Sequence, residues 1–164
     1  MTIFKCCILL KFALLLNNEV HNLKIIIMPI TLTLTEGVLP VSNIEKAVSQ
    51  LTESFLKHHE MSSNKVMTRN VTAHVSIIPK GLTFAGGKAV EGAWVETKTP
   101  SFALADNKTQ KKFFNEATQI IHDLSGGKLA KEKIWGNGVH TVDGTWNIDG
   151  IPLTNEGIGE AISE

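Results

Sequence analysis

From residue 29 onward, apolar positions first alternate with polar ones and then recur at helical spacing, and the sequence does this twice. Ile30, Leu32 and Leu34 alternate with Thr31, Thr33 and Thr35, which predicts a strand with one buried face. Ser42-Asn43-Ile44-Glu45 has capping-box spacing and predicts a helix start. Behind it, Ile44, Val48, Leu51 and Phe55 fall on one helical face. Val71, Ala73, Val75 and Ile77 then alternate with Thr72, His74 and Ser76 as a second strand. A glycine-rich turn closes it, from Lys80-Gly81 to Gly86-Gly87.

The same order returns about 63 residues later. Ala93 to Thr99 reads as a strand, Asp106 as a helix cap, and Phe113, Ala117, Ile120 and Leu124 as one face of a second helix. Gly126-Gly127 supplies the left-handed stop, Ile134 to Val142 the fourth strand, and Asp143-Gly144 with Gly150 the second turn. A helix between two strands favours a parallel pair. The predicted fold is therefore α+β: tandem β-α-β units, residues 29–90 and 91–159, forming a four-stranded sheet with two helices on one face of a single domain, residues 29–164. A ferredoxin-like fold shares that element count. One layer of helices leaves the second face and the sheet edges in need of cover, which points to oligomerisation.

Residues 1–28 do not fit this pattern. They hold both cysteines, three lysines and one glutamate, and no turn chemistry. Lys5 followed by an apolar stretch to Leu16 has the outline of a secretory signal, but Lys11 interrupts it and no small-residue cleavage site follows. The segment is also too short and too charged for a membrane anchor. Translation is expected to start at Met28, with residues 1–28 an extension outside the mature protein. Without that extension the chain has 13 basic and 15 acidic residues, a net charge of −2, and no cysteine. That composition fits a cytoplasmic protein acting on a small molecule. It lacks the basic footprint of a nucleic-acid binder and any apolar run of the roughly 18 residues a membrane span needs. The adjacent pair Cys6-Cys7 has neither disulfide-framework nor metal-ligand spacing.

Met28-Pro29-Ile30 ahead of an alternating strand, the run Ile78-Pro79-Lys80-Gly81-Leu82-Thr83-Phe84-Ala85-Gly86-Gly87, and its counterpart Asp143-Gly144-Thr145-Trp146-Asn147-Ile148-Asp149-Gly150 resemble the tautomerase superfamily, whose catalytic group is an amino-terminal proline. The length and duplication resemble its fused two-unit branch, which contains cis-3-chloroacrylic acid dehalogenase and malonate semialdehyde decarboxylase. The resemblance covers residues 29–159. It implies a cofactor-free, metal-free homotrimer in which the amine of Pro29 is the general base of a keto–enol or 1,3-proton transfer on a small 2-keto acid or enol. The chemistry suits the group. An α-amine titrates near pH 8, an apolar pocket lowers that value, and the proline ring fixes where the nitrogen points. In hydrolytic branches the same nitrogen, protonated, is a general acid.

The sequence departs from the resemblance where arginines hold a substrate carboxylate. The matched places carry Phe102 and Ala105, Leu39 and Thr72, and the chain's one arginine is Arg69, expected at the entrance to the second strand. Bidentate carboxylate recognition is unsupported there. The substitute substrate-binding candidates are Lys98 on the third strand and Lys80 at the first glycine turn, with Trp146 and Phe102 as apolar walls. A more apolar, phenylpyruvate-like substrate suits these groups. His74 is expected on the polar strand face, His58-His59 as favourable charge at a helix end, and Glu96 as a possible water-orienting group. With no tyrosine in the chain, a tyrosine acid is excluded. The alternatives left open are a noncatalytic binding or assembly protein of this fold, and a hydratase, decarboxylase or dehalogenase.

Overall fold

A computed structural model describes residues 28–163, Asp149 excepted. The predicted extension, other than Met28, lies outside the described residues, as does Asp149 of the second glycine turn.

Strand β1 (Ile30–Thr35) leads through a 3-10 turn, Val41–Asn43, into helix α1 (Ile44–His58). A short helix α2 (Lys65–Asn70) precedes β2 (Ala73–Ile78), and a two-rung hairpin, β3 (Phe84–Ala85) and β4 (Lys88–Ala89), follows it. The second unit comprises β5 (Ala93–Pro100), α3 (Asn107–Leu124) and β6 (Ile134–Thr141), then the hairpin β7 (Trp146–Ile148) and β8 (Ile151–Leu153), and finally α4 (Asn155–Ile162).

The sheet order is β2-β1-β5-β6. Each unit contributes a parallel pair, β1 with β2 and β5 with β6, and β1 joins β5 antiparallel. Alternation then decides what is buried. Ile30, Leu32, Leu34, Ala93 and Val95 face the helices and are almost wholly buried. Ala47, Leu51 and Phe55 of α1 and Phe113, Ala117, Ile121 and Leu124 of α3 complete this core, and Phe55 meets Phe113 edge-on with ring centroids 5.5 Å apart. The α3 contact falls on Ile121 rather than Ile120, which packs at the margin.

The two helices run antiparallel, since Asn43 at the start of α1 reaches the end of α3, its Nδ2 donating to the Leu124 carbonyl at 2.8 Å. This corrects the predicted capping box. Asn43 already has helical dihedrals, because the 3-10 turn precedes it, and its side chain is used on α3 rather than on its own helix. The predicted Asp106 cap does form: its carboxylate accepts from the Lys108 and Thr109 amides, both at 2.9 Å.

Two helices were not visible in the pattern. In α2, capped by Asn64 through the Met67 amide, the exposed Arg69 lies in the last turn, its Nε donating to the Lys65 carbonyl, and not on the strand entrance. In α4, Thr154 caps Gly157, and Ile158 and Ala161 are buried. Asn64 Nδ2 also donates to the Ile162 carbonyl at 3.1 Å, tying α2 to α4 at one end of the sheet.

The second sheet face carries Thr31, Thr33, His74, Ser76, Trp94, Glu96, Lys98, Trp135, Asn137 and Val139 and has no covering layer among the described residues. Trp94 and Trp135 stack across it with centroids 4.8 Å apart. Edge strand β2 leaves Val75 and Ile77 exposed, and the following turn exposes Leu82 and Phe84. No described helix is long and apolar enough to cross a membrane.

Candidate active site

Pro29 stands one residue before β1, half-buried, on the open face of the sheet. The β1–β5 register continues through it: Ile30 is opposite Thr97, so Pro29 is opposite Lys98, whose amide donates to the Pro29 carbonyl at 3.2 Å. In an antiparallel ladder such a pair exchanges two hydrogen bonds. Here the return bond is missing because proline in a peptide has no N–H. The ring nitrogen therefore faces the Lys98 carbonyl, which an N–H on a free amine would meet.

On the other side, the Ile30 amide donates to the Thr72 carbonyl at 2.8 Å, and the parallel register sets Thr72 beside Pro29 on the same face. Thr72 Oγ1 is buried without a hydrogen-bond partner, as is Trp146 Nε1. Such groups cost about 1–3 kcal/mol each when nothing pairs them. Pro29 is thus flanked by an unpaired hydroxyl and by the exposed Lys98, which makes no ion pair among the described residues.

Topology sets the two lysine candidates at opposite ends of the sheet. Strand β6 ends at Thr141, opposite Pro100, so the hairpin carrying Trp146 and the turn carrying Phe102 both belong to the Pro29 end of the sheet. The Asn155 amide, accepted by Asp143, and the Asn155 side chain, which donates to Ser101 Oγ at 2.8 Å, join those two segments. Lys80 lies at the far end: Ile78 is opposite Thr35, and the length of β1, roughly 20 Å at about 3.3 Å per residue, intervenes. Its Nζ is 3.4 Å from Glu91. Within one chain, then, Pro29, Lys98, Phe102 and Trp146 share one end and Lys80 does not. Glu96 points instead into a hollow of about 320 Å³ toward the other end, lined by Thr33, Ile78, Leu82, Thr83, Phe84 and Trp94.

His74 is exposed, as expected. The expectation for His58-His59 needs correction. His58 Nε2 pairs with Glu116 on α3 at 2.6 Å, an interhelical contact. His59 stacks on Phe55, its Nδ1 2.7 Å from the Phe55 carbonyl and its Nε2 accepting from the Leu104 amide at 3.1 Å. Burial pushes its pKa below the ordinary imidazole value, so it is a neutral acceptor rather than a helix-end charge.

Thr72, expected only as a place without the arginine, and Met28, expected only as the start of translation, are both built into this end of the sheet. Met28 is 2% exposed within the core, and its amide donates to the Asn70 carbonyl at 2.7 Å. The signal for Thr72 was available in the strand register; the signal for Met28 was its place in the same alternation as Ile30, Leu32 and Leu34.

No protein-family model matches the chain, and no curated protein matches it. Solved structures do. A member of the cis-3-chloroacrylic acid dehalogenase (cis-CaaD) family is 14% identical with a TM-score of 0.64, covering 80% of this chain and 87% of its own. A wild-type fused 4-OT solved as an asymmetric trimer is 11% identical with a TM-score of 0.64, covering 80% and 98%. Malonate semialdehyde decarboxylase is 11% identical with a TM-score of 0.54, covering 72% and 88%. The chain therefore has the fold of the fused 4-OT and cis-CaaD-family structures, the fold that the resemblance implied.

Proposed function

We propose that the protein is a member of the tautomerase superfamily and a cofactor-free tautomerase of small 2-keto acids or their enols, acting as a cytoplasmic homotrimer, with Pro29 as general base once residues 1–28 are absent. The observation that carries this reading is the position of Pro29: an imino acid at the head of the first strand, half-buried on an open face, opposite Lys98 in the β1–β5 register.

The free secondary amine would take a proton from the carbon next to the keto group. The C–H electron pair becomes the carbon–carbon double bond, and the carbonyl pair moves onto oxygen. The ammonium then returns its proton to that oxygen, giving the enol, or to a distant carbon in a 1,3-transfer. Protonated, the ring nitrogen has two N–H bonds, so one can rest on the Lys98 carbonyl while the other transfers. Lys98 and the Thr72 hydroxyl flank that nitrogen and would receive the substrate carboxylate, as a point charge and a neutral donor in place of an arginine fork. Phe102 and Trp146 would bound its apolar part.

The test is enolisation of phenylpyruvate by protein that begins at Pro29. Pro29→Ala should keep the fold and lose about 10²-fold or more in kcat, the scale of a general base. Undiminished activity in that variant would reject the assignment.

A second reading, a noncatalytic binding protein of the same fold, draws on Met28. While Met28 is attached, Pro29 nitrogen is an amide with no basicity, and the burial of Met28 and its bond to Asn70 make it a working part of the fold. The intact mass of protein from its native cells separates the two: a chain starting at Pro29 supports the enzyme, a chain retaining Met28 the binding protein.

A further inference from the structure

The turn from Ser101 to Leu104 joins β5 to α3 and carries Phe102 at the Pro29 end of the sheet. Four side chains from four different elements fasten it, one of them Thr99 of β5, whose Oγ1 donates to the Ala103 carbonyl at 3.4 Å. Asn155 at the start of α4 donates to Ser101 Oγ at 2.8 Å, and Gln110 of α3 donates to the Leu104 carbonyl at 2.6 Å. The Leu104 amide donates to His59 Nε2 at 3.1 Å, 45 residues back at the end of α1.

Leu104 is 3% exposed and has φ of +54°, a left-handed conformation that costs a residue with a side chain about 1–2 kcal/mol. Something must hold it there, and the geometry at His59 shows how. A carbonyl only accepts, so Nδ1, 2.7 Å from the Phe55 carbonyl, carries the hydrogen. A backbone N–H only donates, so Nε2 presents its lone pair to Leu104. The bonding pattern selects one neutral tautomer. A second proton on the ring would set N–H against N–H.

We propose that His59 is an acid-sensitive latch: neutral, it holds Leu104 and positions Phe102 at the Pro29 end of the sheet; protonated, it releases the turn. The charged and titratable groups around it are His58, next in the chain and opposing the ring's charge, and Asp106, the α3 cap, favouring it. Phe55 stacks on the ring with centroids 4.2 Å apart. Burial outweighs Asp106 and the Phe55 carbonyl, which places protonation below the free imidazole value near 6.5. The latch is closed at neutral pH and opens in acid.

The latch can be read without any turnover, on the full chain, from the hydrogen-exchange protection of the Leu104 amide and the ring signals of His59. On acidification below the free imidazole value near 6.5, the side to which burial moves the ring's protonation, protection should fall roughly tenfold as the ring titrates. In His59→Gln the side-chain oxygen reaches the place of Nε2 and accepts the same bond but does not titrate, so protection should stay constant. An equal fall in that variant would overturn the proposal, and so would a wild-type amide that stays protected while His59 titrates or a ring that takes no proton on acidification. The consequence for Phe102 rests on the tautomerase reading. If it holds, the KM for phenylpyruvate rises in acid for the wild type and not for His59→Gln. Absence of turnover at every pH would count against that reading, with the exchange data still judging the latch.

Discussion

Pro29 and Lys98 face one another across β1 and β5, joined by one hydrogen bond where the ladder would ordinarily supply two. That pairing separates two lysines that look equivalent in the sequence. In protein beginning at Pro29, Lys98→Met should raise the KM for phenylpyruvate about tenfold, the loss of a hydrogen bond to a charged group at roughly 1.5 kcal/mol, with kcat little changed. Lys80→Met, a strand's length away and paired with Glu91, should leave both parameters within about twofold if each chain uses only its own residues. Steady-state kinetics on the two variants decides this, and an effect confined to Lys80 would mean that the site borrows the glycine turn of a neighbouring chain.

The strands were legible because period-two alternation survives when one face is buried, as in Ile30 to Thr35. The Asp106 cap was legible because an aspartate ahead of a helical face has one favourable use. Helices α2 and α4 were not. At 6 and 8 residues they are too short to form on their own propensity and are held by Asn64, Met67, Ile158 and Ala161 against the rest of the chain. The site divides along the same line. Pro29 stood out locally, whereas the neighbourhood of Thr72, Lys98 and Trp146 comes from register between segments far apart in sequence. The role of His59 depends on a turn 45 residues away, which helix-end statistics do not contain.

Gly136 on β6 lies under Phe114 of α3: a Cβ there would sit 2.7 Å from Phe114 Cδ1 and 3.3 Å from the Val95 carbonyl. Ring and backbone together leave little room to yield. Gly136→Ala should destabilise the protein by about 1–3 kcal/mol, the usual cost of overpacking. Phe114→Leu should recover part of that loss, and a double-mutant cycle in urea measures the coupling. Strictly additive effects would show that the two positions do not meet.

Phe84 is 61% exposed and Leu82 63%, on the turn that follows edge strand β2. In an isolated chain Phe84→Glu disturbs almost no packing, so any change in assembly is a property of a surface between chains. The expected result is an unchanged thermal midpoint for secondary structure at high dilution and, for the proposed trimer, a shift to monomer by light scattering. A trimer that persists in this variant would place the interface elsewhere on the open sheet.

Glu116 joins α3 to α1. Its carboxylate accepts from Lys57 Nζ at 2.5 Å and from His58 Nε2 at 2.6 Å. The hydrogen bond from Lys57, the largest effect, holds its carboxyl below the ordinary glutamate range; burial opposes it as the next largest, and the hydrogen bonds from His58 and Ser54 add to the lowering. A carboxylate whose folded value is depressed binds protons more readily when the chain is unfolded. Its contribution to stability is therefore complete above the unfolded value near 4.3 and is lost as pH falls through the lower, folded value. Both partners are partly open to solvent, with 56% of the Lys57 side chain and 33% of Glu116 exposed, so the effect is modest and screened by salt. Urea midpoints measured from about pH 6 down to about pH 3 should therefore fall less in Glu116→Gln than in the wild type. The difference between the two proteins should be largest at the neutral end, shrink as the wild-type carboxylate is protonated, and narrow at high salt. Parallel curves for the two proteins would mean that the ion pair contributes nothing to holding α1 against α3.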